Sequence, residues 1–209
     1  MSILRIDEVN DSGEVLSTPA ISKITAVDEG RAINTLVLAF GGDPAVRWLY
    51  PKADDYLVNF PRFVSAFAGK AFEHGSAYVI GDHAGEALWL PPNVQPDEEA
   101  LIALVRQTVS ERKYKDLFDV LEQMGHSHPS EPHWYLPLIG IDPLYQGRGY
   151  GGALMANALT QCDHDQKLAY LESSNPKNIP LYERHGFELI GKIHVGESPT
   201  IFPMLRKPG

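Results

Sequence analysis

Gly147, Gly149, Gly151 and Gly152 follow an apolar run ending at Ile141 and open a stretch in which apolar residues recur at helical spacing as far as Cys162. A strand, a glycine loop and a helix start together bind anions. The first amides of a helix lack acceptors, the helix dipole adds partial positive charge, and glycine lets the backbone come close to a ligand. A phosphate-bearing ligand is the chemistry implied. Gly147, Gly149 and Gly152 also satisfy G-x-G-x-x-G, the dinucleotide-binding fingerprint, but Asp142 to Gln146 separate the first glycine from the strand. The chain left after Gly152 is too short for a doubly wound sheet.

The groups able to move a proton are more scattered. Tyr182, one turn beyond Asn178, offers a phenol on a short helical stretch, and Glu172 closes a strand; His133 and Glu86 are weaker candidates for a base. A core tyrosine and a turn-capping glutamate are the competing assignments for the first two. His126-Ser127-His128 with Glu131 and His133 has the residue types of a metal site, but a loop rich in His, Ser and Pro explains it, and no metal is expected. Cys162 reads as a buried thiol without a chemical role.

These residues must be held by flanking elements. Residues 1 to about 20 are polar and read as an N-terminal arm, with one domain from about 20 to 209. A short strand over 21–26 leads to a helix capped by Asp28 and carrying Ile33, Leu36, Val37 and Phe40, which ends at Gly41-Gly42-Asp43-Pro44. A second helix is predicted from about 54 to 74, stopped by Gly75, then a hairpin of 77–80 and 86–90 halted by Pro91-Pro92. Residues 97–124 read as two helices meeting near Tyr114. A strand over 133–141, the glycine loop, a helix to Cys162, a strand over 167–173, a short helix from 179 closed by Gly186, and strands over 187–195 and 200–206 complete the chain.

Bulk composition narrows the partners. A chain of 209 residues, 44% hydrophobic, can bury a core unaided, and one cysteine allows no internal disulfide and suits a reducing cytoplasm. A net charge of -9 argues against nucleic acid, which needs clustered cations. No apolar run approaches a membrane span, and no secretory leader is evident at Met1 to Glu8, so the expected location is cytoplasmic. An acidic surface cannot attract a polyphosphate, which returns the weight of binding to local amides.

Gly140-Ile141-Asp142-Pro143-Leu144-Tyr145-Gln146-Gly147-Arg148-Gly149-Tyr150-Gly151 resembles the acetyl-CoA motif Gln/Arg-x-x-Gly-x-Gly/Ala of the GNAT N-acetyltransferase superfamily. The stretch from Glu172 to Phe187, with Asn178 and Tyr182 ahead of Gly186-Phe187, is similar to that family's second motif. His133-Trp134-Tyr135-Leu136, the 178–187 stretch and Arg206-Lys207-Pro208-Gly209 are similar to its puromycin N-acetyltransferase branch. The likeness is good from about Glu131 onward and thinner before it.

The resemblance implies an α/β fold with a mixed, strongly twisted central sheet, helices on both faces and a splayed cleft for acetyl-CoA, the cosubstrate. Ile139 and Ile141 would hold the pantetheine arm, Gln146 to Gly152 (with Arg148 and Tyr150 in the loop) the pyrophosphate, and Asn178 the pantetheine amides. Tyr182 would return a proton to the leaving thiolate, Glu172 would take one from a small-molecule primary amine, and Trp134, Trp89, Tyr135 and Phe40 would line an apolar acceptor pocket. A silent domain that binds acyl-CoA as a sensor or scaffold is the alternative. Edge strands and the arm leave room for a homodimer.

Overall fold

Apolar side chains on both faces of 85–90 and 134–141 demand cover on both sides, and the fold supplies it. In the computed structural model, which describes residues 18–209, seven strands form one open mixed sheet. They are β1 (Ile21–Lys23), β2 (Ala77–Ile80), β3 (Gly85–Leu90), β4 (Trp134–Ile141), β5 (Ala169–Ser173), β6 (Glu188–Leu189) and β7 (Phe202–Arg206), ordered β1-β2-β3-β4-β5-β7-β6. Only β4 and β5 run parallel, joined by the crossover helix α7 described below.

One face is covered by α1 (Glu29–Ala39), α2 (Pro44–Leu49), α3 (Ala53–Ala68), α4 (Lys70–Glu73), α5 (Glu98–Thr108) and α6 (Tyr114–Ser127), whose apolar sides enclose Leu88, Leu90, Tyr135 and Tyr170. The other face carries α7 (Tyr150–His164) and α8 (Ile179–Glu183), packed on Ala87, Trp89, Trp134, Leu136 and Leu171. The α/β class, the mixed sheet and helices on both faces agree with the sequence reading. The expected N-terminal arm lies, up to residue 17, outside the described residues. Among the described residues no helix is long and apolar enough to cross a membrane.

Several boundaries differ. The 54–74 helix is two, parted at Gly69. Asp28 sits at the start of α1 but accepts from Thr25 Oγ1 at 2.9 Å instead of capping helical amides. Asp43-Pro44, read as a stop, also starts α2: Asp43 Oδ1 accepts from the amides of Ala45 and Val46, and proline suits a first helical position. The strand expected over 187–195 shrinks to Glu188–Leu189 and one bridge, Ile193 to Ile201. His126 and Ser127, expected in a loop, form the last turn of α6.

Candidate active site

The site begins where β4 and β5 part. Their parallel ladder covers only Trp134 to Leu136 against Ala169 to Leu171. Pro137 follows, without an N–H for any ladder, and between Leu88 and Leu90 the register with β3 shifts by one residue of β4. Asp142 N donates to Ala84 O at 3.1 Å. By antiparallel alternation, Leu138 and Gly140 therefore face β3, while the backbones of Ile139 and Ile141 face the gap. The Ile141 carbonyl accepts from Gln146 Nε2 at 3.1 Å, so Gln146 braces the loop to the strand.

Beyond the gap lies a cleft of about 600 Å³, lined among others by Ile139, Ile141, Gln146, Gly151, Asn178 and Tyr182. Gly147 and Gly149 adopt φ of 78° and 77°, a left-handed backbone that favours glycine, and Gly149 is the residue from which α7 starts. Among the described residues no acceptor takes the amides from Arg148 to Gly152. A Cβ at Gly151 would meet Leu181 Cδ2 at 3.4 Å, an ordinary van der Waals contact, which places the start of α7 directly against α8. Arg148 and Tyr150 are not on the cleft wall: Arg148 lies over the Tyr145 ring at 5.2 Å, and Tyr150 stacks on the same ring at 6.4 Å. Lys177 and Asn175, which sequence reading did not single out as ligand residues, do line it.

Tyr182 is 5% exposed, packs edge-on to Phe187 and has no hydrogen-bond partner for its hydroxyl among the described residues. Burial pushes its hydroxyl well above the ordinary phenol range, with the Asp43 carboxylate adding to the rise. It stays protonated at neutral pH.

Under α2, α3, α5 and α6, with Phe40 just past the end of α1, lies a second, apolar cavity of about 110 Å³. Its wall includes Phe40, Phe67, Tyr135, Pro137, Asp43 and Glu172. Phe40 and Asp43 line both spaces and form the junction between them. Asp43 Oδ2 accepts from Ser174 Oγ at 2.5 Å, tying α2 to the segment after β5 across 131 positions of sequence. Desolvation raises its carboxyl above the usual range, opposed by Ser174 and the α2 amides. No sequence signal beyond the Asp-Pro cap marks this residue.

Glu172 has a side chain only 3% exposed, with Oε1 3.3 Å from His128 Nε2. His128 Nδ1 lies 3.0 Å from His133 Nε2, and His133 Nδ1 lies 2.8 Å from the Glu131 carbonyl. The order of protons follows. His133 Nδ1–H donates to the carbonyl, its Nε2 accepts from His128 Nδ1–H, and His128 Nε2 faces Glu172 Oε1 without a well-aligned hydrogen bond. Burial depresses the His133 imidazole, which keeps it neutral. The Tyr135 and Tyr170 rings surround His128, and both phenols are pushed up, first by burial and then by the Glu172 charge.

Three residues considered at the sequence level lie elsewhere. Trp134 and Trp89 are corrected as acceptor-wall residues: strand alternation puts them on the α7 side, where Trp134 Nε1 donates to Asp165 at 3.0 Å and Trp89 is fully buried. Phe40 and Tyr135 are the two of the four aromatics on the cavity wall. Glu86 is fully buried beneath α1, 2.7 Å from His83 Nδ1, and lines neither space. Burial raises its carboxyl to about 8. Among the described residues no group of three His, Cys, Asp or Glu side chains is arranged to hold a metal.

Residues 97–187, from the start of α5 to the end of the α8 turn, match the acetyltransferase (GNAT) family. An uncharacterized N-acetyltransferase of Schizosaccharomyces pombe is 28% identical over 216 residues, spanning 90% of this chain and 83% of that one. A histone acetyltransferase HPA2 and related acetyltransferase from Corynebacterium glutamicum superposes with a TM-score of 0.68 at 22% identity, covering 92% of this chain and 98% of the other. Arylalkylamine N-acetyltransferase 2 from Aedes aegypti gives 0.67 at 12% identity, over 92% and 100% of the two chains.

Proposed function

We propose that this chain, whose residues 97–187 match the GNAT acetyltransferase family, transfers an acetyl group from acetyl-CoA to the primary amine of a small molecule, by direct attack within a ternary complex. The carrying observation is the pair of spaces joined at Phe40 and Asp43. One is edged by open backbone and unpaired loop amides, the other by apolar side chains and a buried carboxylate.

In this reading the amides of Arg148 to Gly152 and the start of α7 take the pyrophosphate, and Lys177 adds a cation at the cleft. The pantetheine arm lies along the Ile139–Ile141 edge as an added strand, with Asn178 on its flank. The free amide of Ile139 is the donor for the thioester oxygen as negative charge develops there. The amine nitrogen bonds to the thioester carbon and the carbon–sulfur bond breaks. Tyr182, kept protonated by burial, gives its proton to the departing sulfur. Glu172 receives the proton lost by the amine and hands it to His128 and thence toward His133, whose carbonyl partner Glu131 lies at the exposed end.

Free-thiol release from acetyl-CoA over a panel of primary amines tests the reading. Amine-dependent release supports it; release at the no-amine rate with every amine, despite acetyl-CoA binding, would replace it with the acyl-CoA sensor.

A further inference from the structure

We propose that the acceptor is an apolar monoamine: one primary ammonium on a hydrocarbon or aromatic body no larger than about one benzene ring, and not a diamine or guanidino-amine. This rests on reading the second cavity as the acceptor site.

Charge on the cavity wall is confined to one side. Among the described residues, Asp43 and Glu172 are its only carboxylates, and no Lys, Arg or His lines it. The two are linked, because Ser174, which donates to Asp43, lies two residues beyond Glu172 on the same side of the chain leaving β5. Both Asp43 oxygens already hold donors, Oδ1 the α2 amides and Oδ2 the Ser174 hydroxyl. Glu172 Oε1 is instead buried without a well-aligned hydrogen bond, with His128 Nε2 at 3.3 Å. Of the two carboxylates, Glu172 is the one with an oxygen buried and unpaired, able to receive an ammonium.

The helical side of the cavity offers a second cation nothing. Phe63 and Phe67 of α3, Leu101 and Val105 of α5, and Leu117 and Val120 of α6 present carbon alone. Ser198 already accepts from Val195 N at 2.9 Å, and the Tyr135 hydroxyl belongs to the β4 wall, not to the helices. A terminal ammonium or guanidinium reaching that side would lose its water with no carboxylate in exchange, an imbalance that costs on the order of 100-fold or more in affinity. Size points the same way. The cavity of about 110 Å³ is smaller than the roughly 150 Å³ apolar cavity that accommodates benzene.

The test compares amines on the full chain: pentylamine with 1,5-diaminopentane, and butylamine with agmatine. Thiol release from acetyl-CoA gives kcat/KM, and the shift in Tm with CoA present gives binding independently of turnover. The expected result is a preference of at least about 100-fold for each monoamine, with a Tm rise from monoamines only. In Leu121→Asp, which adds a carboxylate to the partly exposed α6 wall, the ratio should fall at least tenfold as the diamine improves. Diamine or agmatine turnover equal to or above the monoamines would overturn the proposal and leave the transferase reading standing. Monoamine-specific Tm shifts without thiol release would do the reverse. Neither binding nor turnover of the monoamines would overturn the acceptor assignment itself.

Discussion

The two halves of the proposed site are built on different principles. The cleft side uses backbone: the open edge of β4 past Pro137, two left-handed glycines, and the unpaired amides that begin α7. The acceptor side uses side chains, drawn from four helices, two strands, the Phe40–Asp43 turn and the segment around Pro199. Backbone recognition is local in sequence and indifferent to most substitutions, and it suits a cosubstrate that never changes. A cavity walled by side chains can be recut one residue at a time, and it suits the partner that varies.

That contrast can be broken or sharpened by mutation. The largest effect is expected at Glu172, where Glu172→Gln should lower kcat about 100- to 10,000-fold while leaving the calorimetric affinity for acetyl-CoA unchanged. Comparable loss of cosubstrate binding would show that the halves are not separable. Tyr182→Phe should cost about 100-fold in kcat with both affinities kept, because only a proton donor is removed from a ring that remains packed on Phe187. Gly149→Val forces a branched side chain into φ of 77°. The loop should relieve about 1–3 kcal/mol of strain by shifting its amides, raising the acetyl-CoA Kd about 10- to 100-fold without changing amine preference.

Smaller effects test the placement of the aromatics and the buried carboxyl. Trp134→Phe gives up the bond to Asp165 and should cost about 1 kcal/mol of stability, read by denaturant melts, with kcat and KM unmoved. A changed amine KM would return Trp134 to the acceptor wall. Glu86 has a folded pKa raised to about 8 from 4.5, so its contribution to stability is full below about pH 4.5 and is lost as pH rises toward 8. The Tm difference between Glu86→Gln and the parent should therefore favour the variant increasingly from pH 5 to 8. A difference independent of pH would mean that the carboxyl titrates normally.

The same contrast explains what could be read from the sequence. Glycines at fixed offsets after an apolar run can be read as a loop between a strand and a helix start because every part of it lies within a few residues, and Gly147 to Gly149 do lead into α7. Asn178 and Tyr182 reach the same cleft through a short helix whose spacing is also local. The acceptor cavity has no such signature. Strand alternation says that Trp134 and Tyr135 face opposite ways but not which way is the cavity, and only the helices packed on each face decide it. Asp43 looks like a helix boundary until Ser174, distant in sequence, folds against it. His126, His128 and His133 lie close together in the sequence, but the pairing of His128 with His133 and its direction come from α6 ending beside β5 and Glu172.

The central claim is that this chain binds acetyl-CoA and passes its acetyl group to an amine, and it is tested most directly in one preparation. Acetyl-CoA is titrated calorimetrically, and the same protein is then assayed for thiol release with and without pentylamine. The account predicts saturable binding and release that depends on the amine. Absence of acetyl-CoA binding would contradict it at its root.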